Sequence, residues 1–484
     1  MTRQKSVGKN VSLNLLKTMV NVVFPLITFP YASRVLQVRC MGRYSFSLSV
    51  VSYFSLIAAL GIQTYAIREG SKYRDDKEKI NRFFSEIFSI HLISTTFAYF
   101  LLFISVLTVD KLRGYKIEIA ILSAEIILLT LSLNWVYIIY EDFVYITIVS
   151  FILQTVSLIG LILFVHSPSD LYIYTFLSMF AGFGYGIFSF IHARKYVHLL
   201  FKPTIETKHL KPIFTLFIAT IAITIYVSSD ATILGWLKDD YAVGIYSTAS
   251  RIYLAVKQLL NAIIAVMLPR ISYYIGMERF DDAKKMGDSV VDGMVTLCFP
   301  CMTGLMCMSR EIIIVYVGKN YQEAYMPLAL LGVALVFAVF ANFYCNCLLV
   351  SFCREMIVMI ATIFSAVLNI LLNFVLIPHY STNAAAVTTI LAEASIFIIS
   401  WYKSRENLEV GIQKKVLFPV LIGCLGIVVI CIASKIMIGN TVVRLLLAVI
   451  VSVLFYLIIQ YVTGNIFVKN MASQFIKGKK QIGE

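Results

Sequence analysis

The sequence predicts an all-α membrane protein of about 14 transmembrane helices, arranged as two six-helix lobes related by a parallel repeat plus two C-terminal helices. Three observations predict this class. Hydrophobic residues make up 59% of the 484 residues and charged residues only 14%, which is outside the range of soluble proteins. Apolar runs of roughly 20 residues, the length needed to cross a bilayer, fill nearly the whole chain. A short motif also recurs at a fixed offset.

The apolar runs predict the helices in chain order. Each run follows a polar or charged stretch and is long enough to cross the hydrocarbon core. The predicted spans are residues 11–36, 44–67, 83–109, 117–140, 143–166, 171–191, 213–237, 244–269, 289–309, 325–350, 356–377, 384–402, 417–436 and 443–463. We predict no cleavable signal peptide, because the run after residue 10 continues too far and lacks a small-residue cleavage site.

The repeat is marked by a Gly-x-Tyr-Ser motif followed by an arginine. In the first copy Gly42 precedes Arg68 by 26 residues, and in the second Gly244 precedes Arg270 by the same number. The two copies lie 202 positions apart (244 − 42). Internal repeats of this kind are typical of two-lobed transporters.

The number of spans in each copy predicts how the copies are related. Six is an even number, so both copies enter the membrane in the same orientation, as in a parallel repeat. The predicted divisions are an N-terminal lobe at residues 1–202, a second lobe at 203–404, and two additional helices with a basic tail at 405–484.

The net charge of +14 has an uneven distribution. Lysine and arginine concentrate in the predicted loops 68–82, 192–211 and 403–415 and in the tail at 477–480. This is the positive-inside asymmetry, and it predicts that both termini are cytoplasmic. Topology and contact with lipid headgroups account for the charge, so we expect no nucleic-acid partner.

Several kinds of site are excluded by their surroundings. Cys298-x-x-Cys301 has redox or zinc spacing, but it lies in an apolar helix without a second pair, so we interpret it as packing. The histidines form no cluster with ligand spacing, and no Walker motif is present. Short predicted loops leave no extramembrane domain for catalysis. We therefore predict no metal, no cofactor and no enzymatic activity.

Ionisable residues inside the spans are the strongest functional signal, because each costs about 2.5–3.5 kcal/mol at a helix centre. Charges deep in the bilayer must face a hydrated cavity or one another. From the charges within the predicted spans we select seven as candidates: Lys17, Arg34, Glu125, Asp230, Arg251, Lys257 and Glu393. For the acids Asp230, Glu125 and Glu393, two interpretations stay open: binding of a coupling ion, or charge pairing, such as Asp230 with Arg251.

Polar residues at helical spacing extend these charges into stripes on the first, eighth and eleventh spans. We predict that a cavity between the lobes is lined by Lys17, Asn21, Arg34, Arg251, Lys257, Asn261, Asn369 and Asn373. Interhelical hydrogen bonding is an equally good account of the asparagines. For Arg34, near the outer end of the first span, a snorkelling anchor is the alternative.

Four motifs, in chain order, resemble bacterial O-antigen and polysaccharide flippases of the Wzx type, in the multidrug/oligosaccharidyl-lipid/polysaccharide exporter superfamily. They are Pro25 to Leu36 followed by Gly42-x-Tyr44-Ser45; Asn134 to Thr147; Asp230 to Trp236 followed by Val243 to Ser247; and Asn369 to Pro378 followed by Ala384-Ala385-Ala386 and Glu393. One position departs from the family pattern, since Asn383 stands where a glycine is expected. Asparagine tolerates the left-handed backbone that such a turn requires.

The resemblance implies a flippase that moves a polyprenyl-diphosphate-linked oligosaccharide repeat unit across the bacterial inner membrane by alternating access, for O-antigen, capsule or exopolysaccharide synthesis. Membrane lipids, a proton or sodium ion, a glycan polymerase and a chain-length regulator are the expected partners. A cation-coupled drug or metabolite antiporter of the same superfamily is the first alternative. A membrane glycan polymerase is the second, although that enzyme class carries a large outer loop.

Overall fold

The structure is a computed structural model that describes residues 7–198, 206–465 and 468. Within these ranges, side chains are described from residue 24 onward, except at residues 219, 222, 223 and 226. Every secondary-structure element in this part of the chain is helical, as the sequence predicts. The predictions for Lys17 and Asn21 concern side chains outside the described ones.

Seven membrane-length helices precede residue 240. They are α1 (7–36), α2 (38–59), α3 (Lys77–Thr108), α4 (Lys116–Ser132, continued after Leu133 by Asn134–Ile139), α5 (Phe143–Phe164), α6 (Leu171–Phe183, continued by Tyr185–Ala193) and α7 (Leu210–Leu237). A short helix, Ile62–Gly70, follows α2. Helices α1 and α2 are separated by one residue, Gln37, whose φ of 64° and ψ of 174° are not helical.

Seven more helices follow. They are α8 (Asp240–Gly276), α9 (Phe280–Val317), α10 (Tyr325–Asn342, continued by the π-helical Phe343–Leu349), α11 (355–380), α12 (382–404), α13 (Lys414–Met437) and α14 (Thr441–Val462). The residue between α11 and α12 is Ser381, with φ 50° and ψ −128°. The backbone therefore departs from the helix at Ser381, and Asn383, where the family pattern has glycine, lies inside α12.

The predicted number of about fourteen helices is confirmed. Eleven stretches of the described chain are long and apolar enough to cross a membrane. Two of them, Phe24–Tyr73 and Glu355–Ser404, each contain two spans, separated at Gln37 and Ser381. With α7 added, the count is fourteen.

The chain forms two compact units, Met1–Gly244 and Ile245–Glu484. The division falls near the start of α8. Helices α13 and α14 belong to the second unit, where both pack on α9. The lobe boundaries at residues 202 and 404, which rest on the repeated motif, stay a prediction.

Many polar residues of the helices are buried and many large apolar ones are exposed, as expected where hydrocarbon is the solvent. Helix α14 illustrates this pattern. Its buried residues recur every fourth position, which places them on one helical face: Ala448, Ser452, Tyr456 and Gln460. Leucine, isoleucine and valine on its other faces are exposed. The contact of α14 with its neighbours therefore depends on close approach and on hydrogen bonds from Tyr456 and Gln460.

Candidate substrate site

The central charged contact of the second unit joins Lys257 to Glu393. Lys257 is the 18th of the 37 residues of α8, and Glu393 is at the middle of α12, so both lie at the centres of their helices. The Lys257 ammonium is 2.5 Å from Oε1 of Glu393. Lys257 and Glu393, which the sequence analysis selected separately, thus form one ion pair at the middle of two helices.

The two members of this pair differ in exposure. The Lys257 side chain is 21% exposed and that of Glu393 only 4%. Tyr253, one turn before Lys257, donates a hydrogen bond of 3.0 Å to the same Glu393 oxygen. The Lys257 ammonium also lies 5.6 Å from the centre of the Tyr253 ring. The carboxylate is thus held by two donors from one helix, while the ammonium keeps an open side.

Asn369 and Asn373 are fully buried in α11. The Asn373 amide donates to Oδ1 of Asn369 at 3.1 Å, and Thr388 of α12 donates to Oδ1 of Asn373 at 2.6 Å. Ser365, one turn earlier, donates to the Ala392 carbonyl oxygen of α12. These contacts match the interhelical alternative left open above, so direct substrate contact by the two asparagines stays a prediction.

The remaining predicted residues of the second unit, Arg251 and Asn261, are both half-buried in α8. Asn261 lies four residues after Lys257, on the same helical face. Its buried Oδ1 has no hydrogen-bond partner among the described residues. An unpaired buried acceptor is costly in a native structure, so this atom has capacity for a ligand or water.

In the first unit, Glu125 of α4 is buried. The Ser55 hydroxyl of α2 donates to its Oε1 at 2.7 Å, and its buried Oε2 has no partner among the described residues. Asp230 of α7 is also buried. Arg34, by contrast, is exposed near the end of α1. Both candidate acids of the first unit, Glu125 and Asp230, are thus buried.

Hydroxyl groups join α2 to α7 in the same unit. Ser52 donates to Ser228 at 3.0 Å, Thr232 donates to Ser49 at 2.9 Å, and the Tyr53 hydroxyl is 3.0 Å from that of Thr232. In hydrocarbon, such contacts replace the water that would otherwise solvate these groups. They form a polar seam on the same helix as Ser55, the partner of Glu125.

Sequence reasoning missed a second charged cluster, formed by Glu311 of α9 with Lys435 of α13 and Arg444 of α14. Glu311 is 4% exposed, with Arg444 at 3.2 Å and Lys435 at 3.7 Å. Each cation lies at the end of an apolar run, where snorkelling is the usual explanation. The cluster could have been suspected because Lys435 and Arg444 flank the turn at Gly439. Such a turn brings the two positive charges to the same end of the α13–α14 pair.

An apolar cavity of about 670 Å³ lies between α9, α13 and α14 in the second unit. Its lining includes Pro300, Cys301, Ile427 and Leu457. Cys301, part of the cysteine pair interpreted above as packing, thus contributes to a hydrocarbon-like wall. The cavity has the chemistry to hold an alkyl or prenyl chain.

The comparisons with known proteins agree with this architecture. The sequence profile of a family described as polysaccharide biosynthesis protein matches residues 7–275. The chain is 22% identical over 411 residues to a protein of Escherichia coli (strain K12) named "Putative O-antigen transporter", covering 84% of this chain and 98% of that one. A protein of Shigella dysenteriae with the same name is 22% identical over 398 residues, covering 81% and 98%.

Solved structures share the fold. The lipid II flippase MurJ, in an inward closed conformation, superposes with a TM-score of 0.77 at 15% identity, covering 93% of this chain and 98% of MurJ. An inward-facing multidrug resistance MATE family transporter gives a TM-score of 0.62 at 12% identity, covering 82% and 97%. These likenesses confirm the predicted fold class. Since the family profile matches more than half of its residues, the chain belongs to the polysaccharide biosynthesis protein family.

Proposed function

We propose that the protein is a flippase that moves a polyprenyl-diphosphate-linked oligosaccharide repeat unit from the inner to the outer face of the bacterial inner membrane. It works by alternating access and serves the synthesis of O-antigen, capsule or exopolysaccharide. The lipid chain stays in hydrocarbon while the diphosphate and the sugars cross in a hydrated path. No bond is made or broken, so the protein needs no catalytic residues.

The observation that carries the proposal is Lys257, a partly exposed cation at the centre of α8 in a chain with a flippase fold. A lysine ammonium is a mobile point charge that binds phosphate oxygens. Its cost at mid-membrane depth argues for a use beyond packing. In this proposal Lys257 and Arg251 attract the diphosphate, with Lys17 and Arg34 contributing from α1. Asn21, Asn261, Asn369 and Asn373 contact sugars.

The apolar cavity between α9, α13 and α14 is evidence for the lipid part of the proposed substrate. Its volume of about 670 Å³ is large enough for several isoprene units, and its lining is hydrocarbon-like. A polyprenyl chain entering there from the bilayer would exchange one apolar environment for another at little cost.

Transport against a gradient requires an energy source, for which we propose either the membrane potential or coupled proton or sodium movement. Glu125, Asp230 and Glu393 are the candidate ion-binding acids. Both termini are cytoplasmic in this proposal, as the loop charges predict. A glycan polymerase and a chain-length regulator would take the product at the outer face.

Reconstitution in vesicles tests the function directly. The purified protein is incorporated with a fluorescent lipid-linked oligosaccharide, and movement between leaflets is scored by accessibility to a glycosidase added outside. We expect movement by the wild type and a loss of at least tenfold for Lys257→Ala and Arg251→Ala, with unchanged protein incorporation.

The fold shared with MATE transporters favours one competing function, a cation-coupled antiporter for drugs or metabolites. Deletion of the gene separates the two. A flippase predicts loss of surface glycan with unchanged drug sensitivity, and an antiporter predicts the reverse. Full leaflet exchange by Lys257→Ala would instead contradict the role given to the lysine.

A further inference from the structure

The Lys257–Glu393 pair combines two properties that packing alone does not require. Burying an ion pair gains little over apolar residues of the same volume, because removing both charges from water costs about as much as their attraction returns. Here one member is buried at 4% exposure and the other keeps 21%. Net stability of the pair therefore does not explain why two charges lie at the centres of two helices.

The contacts also indicate which member moves. Glu393 is held at one oxygen by the Lys257 ammonium at 2.5 Å and by the Tyr253 hydroxyl at 3.0 Å. If the lysine leaves, the tyrosine still holds the carboxylate. Lys257 ends a four-carbon stem with freely rotating bonds, so its ammonium can turn toward its open side without movement of α8. The lysine is therefore the mobile partner.

A carboxylate oxygen and a phosphate oxygen are equivalent acceptors for an ammonium, and both make short, charge-assisted hydrogen bonds. We propose that Glu393 is a resident counter-anion, which neutralises Lys257 in the empty protein and is displaced from it by the diphosphate of the substrate. This inference rests on the proposed function and adds a role for Glu393. Every anion that binds Lys257 must first separate it from Glu393, so weakly charged anions are excluded.

Binding of polyprenyl diphosphate to the purified full-length protein in lipid nanodiscs tests this role. Lys257→Ala should weaken binding about tenfold, whereas Glu393→Gln should tighten it about three- to tenfold, because it frees the lysine. In the double variant the tightening should vanish, since no lysine remains to be freed. The affinity for inorganic pyrophosphate, titrated in parallel, should rank the variants in the same order.

Glu118→Gln is the matched control. Glu118 is a buried acid of the first unit with a cationic partner, Arg43, at 2.7 Å, so the variant makes the same change in net charge. It should leave the affinity unchanged. Glu393→Asp keeps the charge but shortens the reach, and should tighten binding less than Glu393→Gln; it serves as the test if the glutamine variant does not fold.

The outcomes separate this inference from the proposed function. Binding with the expected order but without oligosaccharide movement in vesicles would uphold the counter-anion and overturn the flippase. Movement together with a Glu393→Gln variant that binds as weakly as Lys257→Ala would overturn the counter-anion alone. The counter-anion would also be overturned if neither polyprenyl diphosphate nor pyrophosphate bound to the wild type or to any variant. It would likewise be overturned if the tighter binding of Glu393→Gln persisted in the double variant.

Discussion

Gly42 in α2 lies directly against the main chain of Asp240, at the start of α8. A Cβ on Gly42 would overlap the Asp240 carbonyl oxygen, and would lie 2.6 Å from its carbonyl carbon and 3.0 Å from the amide nitrogen of Gly244. Reciprocally, a Cβ on Gly244 would overlap the Val38 carbonyl oxygen. The two glycines of the Gly-x-Tyr-Ser motifs thus lie at one backbone crossing, where neither has room for a side chain.

Alanine at either glycine should therefore prevent this contact. We expect Gly42→Ala and Gly244→Ala to destabilise the protein by more than about 3 kcal/mol, or to abolish its accumulation in the membrane, because backbone atoms cannot rotate aside. Thermal unfolding in detergent measures the effect. Gly182→Ala and Gly276→Ala are matched controls, since a Cβ at either meets no atom within 4 Å. Equal stability of all four variants would contradict the close contact.

The sequence predicted the fourteen spans because hydropathy is a local property of the chain. The last span illustrates this, at 443–463 by prediction and Thr441–Val462 in the structure. The predicted turns at 37–43 and 378–383 were less accurate, because each backbone break is confined to one residue, Gln37 or Ser381. From sequence alone, a polar residue within a helix cannot be distinguished from one in a loop, so the predicted turns were too long.

Pairing between helices was beyond the reach of the sequence. Lys257 and Glu393 were each nominated by their depth, but they are 136 positions apart, and one sequence contains no distance between them. The same limit explains why Glu311 was missed. Its buried position becomes evident only when Arg444, 133 positions later, is found beside it.

The orientation of the chain is testable at two open glycines. Gly411 lies in the segment between α12 and α13, and Gly439 between α13 and α14; both are exposed, and a Cβ at either meets no atom within 4 Å. Cytoplasmic termini predict that Gly439→Cys reacts with an impermeant maleimide in intact spheroplasts and Gly411→Cys only after permeabilisation. Cys40 and Cys353 are replaced by serine to remove background. The reverse labelling pattern would invert the topology.

The Glu311 cluster should secure α13 and α14 to α9. Removing one partner of a buried ion pair costs about 3–5 kcal/mol, so Arg444→Ala should lower the melting temperature strongly. Lys435→Ala should cost at most about 1 kcal/mol, because that side chain is 41% exposed and 3.7 Å away. Replacing both Glu311 and Arg444 by leucine should restore most of the stability.

Thermal unfolding of the wild type and these three variants in detergent shows whether the cluster holds the helices together or is only a surface contact. If the cluster secures the helices, the melting temperature should fall in the order wild type, Lys435→Ala, double leucine variant and Arg444→Ala. The value for Arg444→Ala should be well below the other three. If Arg444→Ala melted within a degree of Lys435→Ala, the cluster would not hold the appended helices.

For the proposed proton coupling, Glu125 is the acid of the first unit that we would test first. It is buried, one oxygen accepts from Ser55, and the other has no partner among the described residues. Glutamine keeps the size of the side chain and an acceptor for Ser55 but cannot exchange a proton at pH 7. We therefore expect a pH gradient to accelerate oligosaccharide movement in vesicles containing the wild type and to have no effect with Glu125→Gln.

The control is again Glu118→Gln, because Glu118 is also a buried acid of the first unit but has a cationic partner, Arg43, at 2.7 Å. This variant should keep the full response to the gradient. A response that survives in Glu125→Gln would remove Glu125 from the coupling mechanism. If the wild type itself responds to a sodium gradient and not to a pH gradient, the unpaired oxygen of Glu125 has another role, and Asp230 becomes the acid to test.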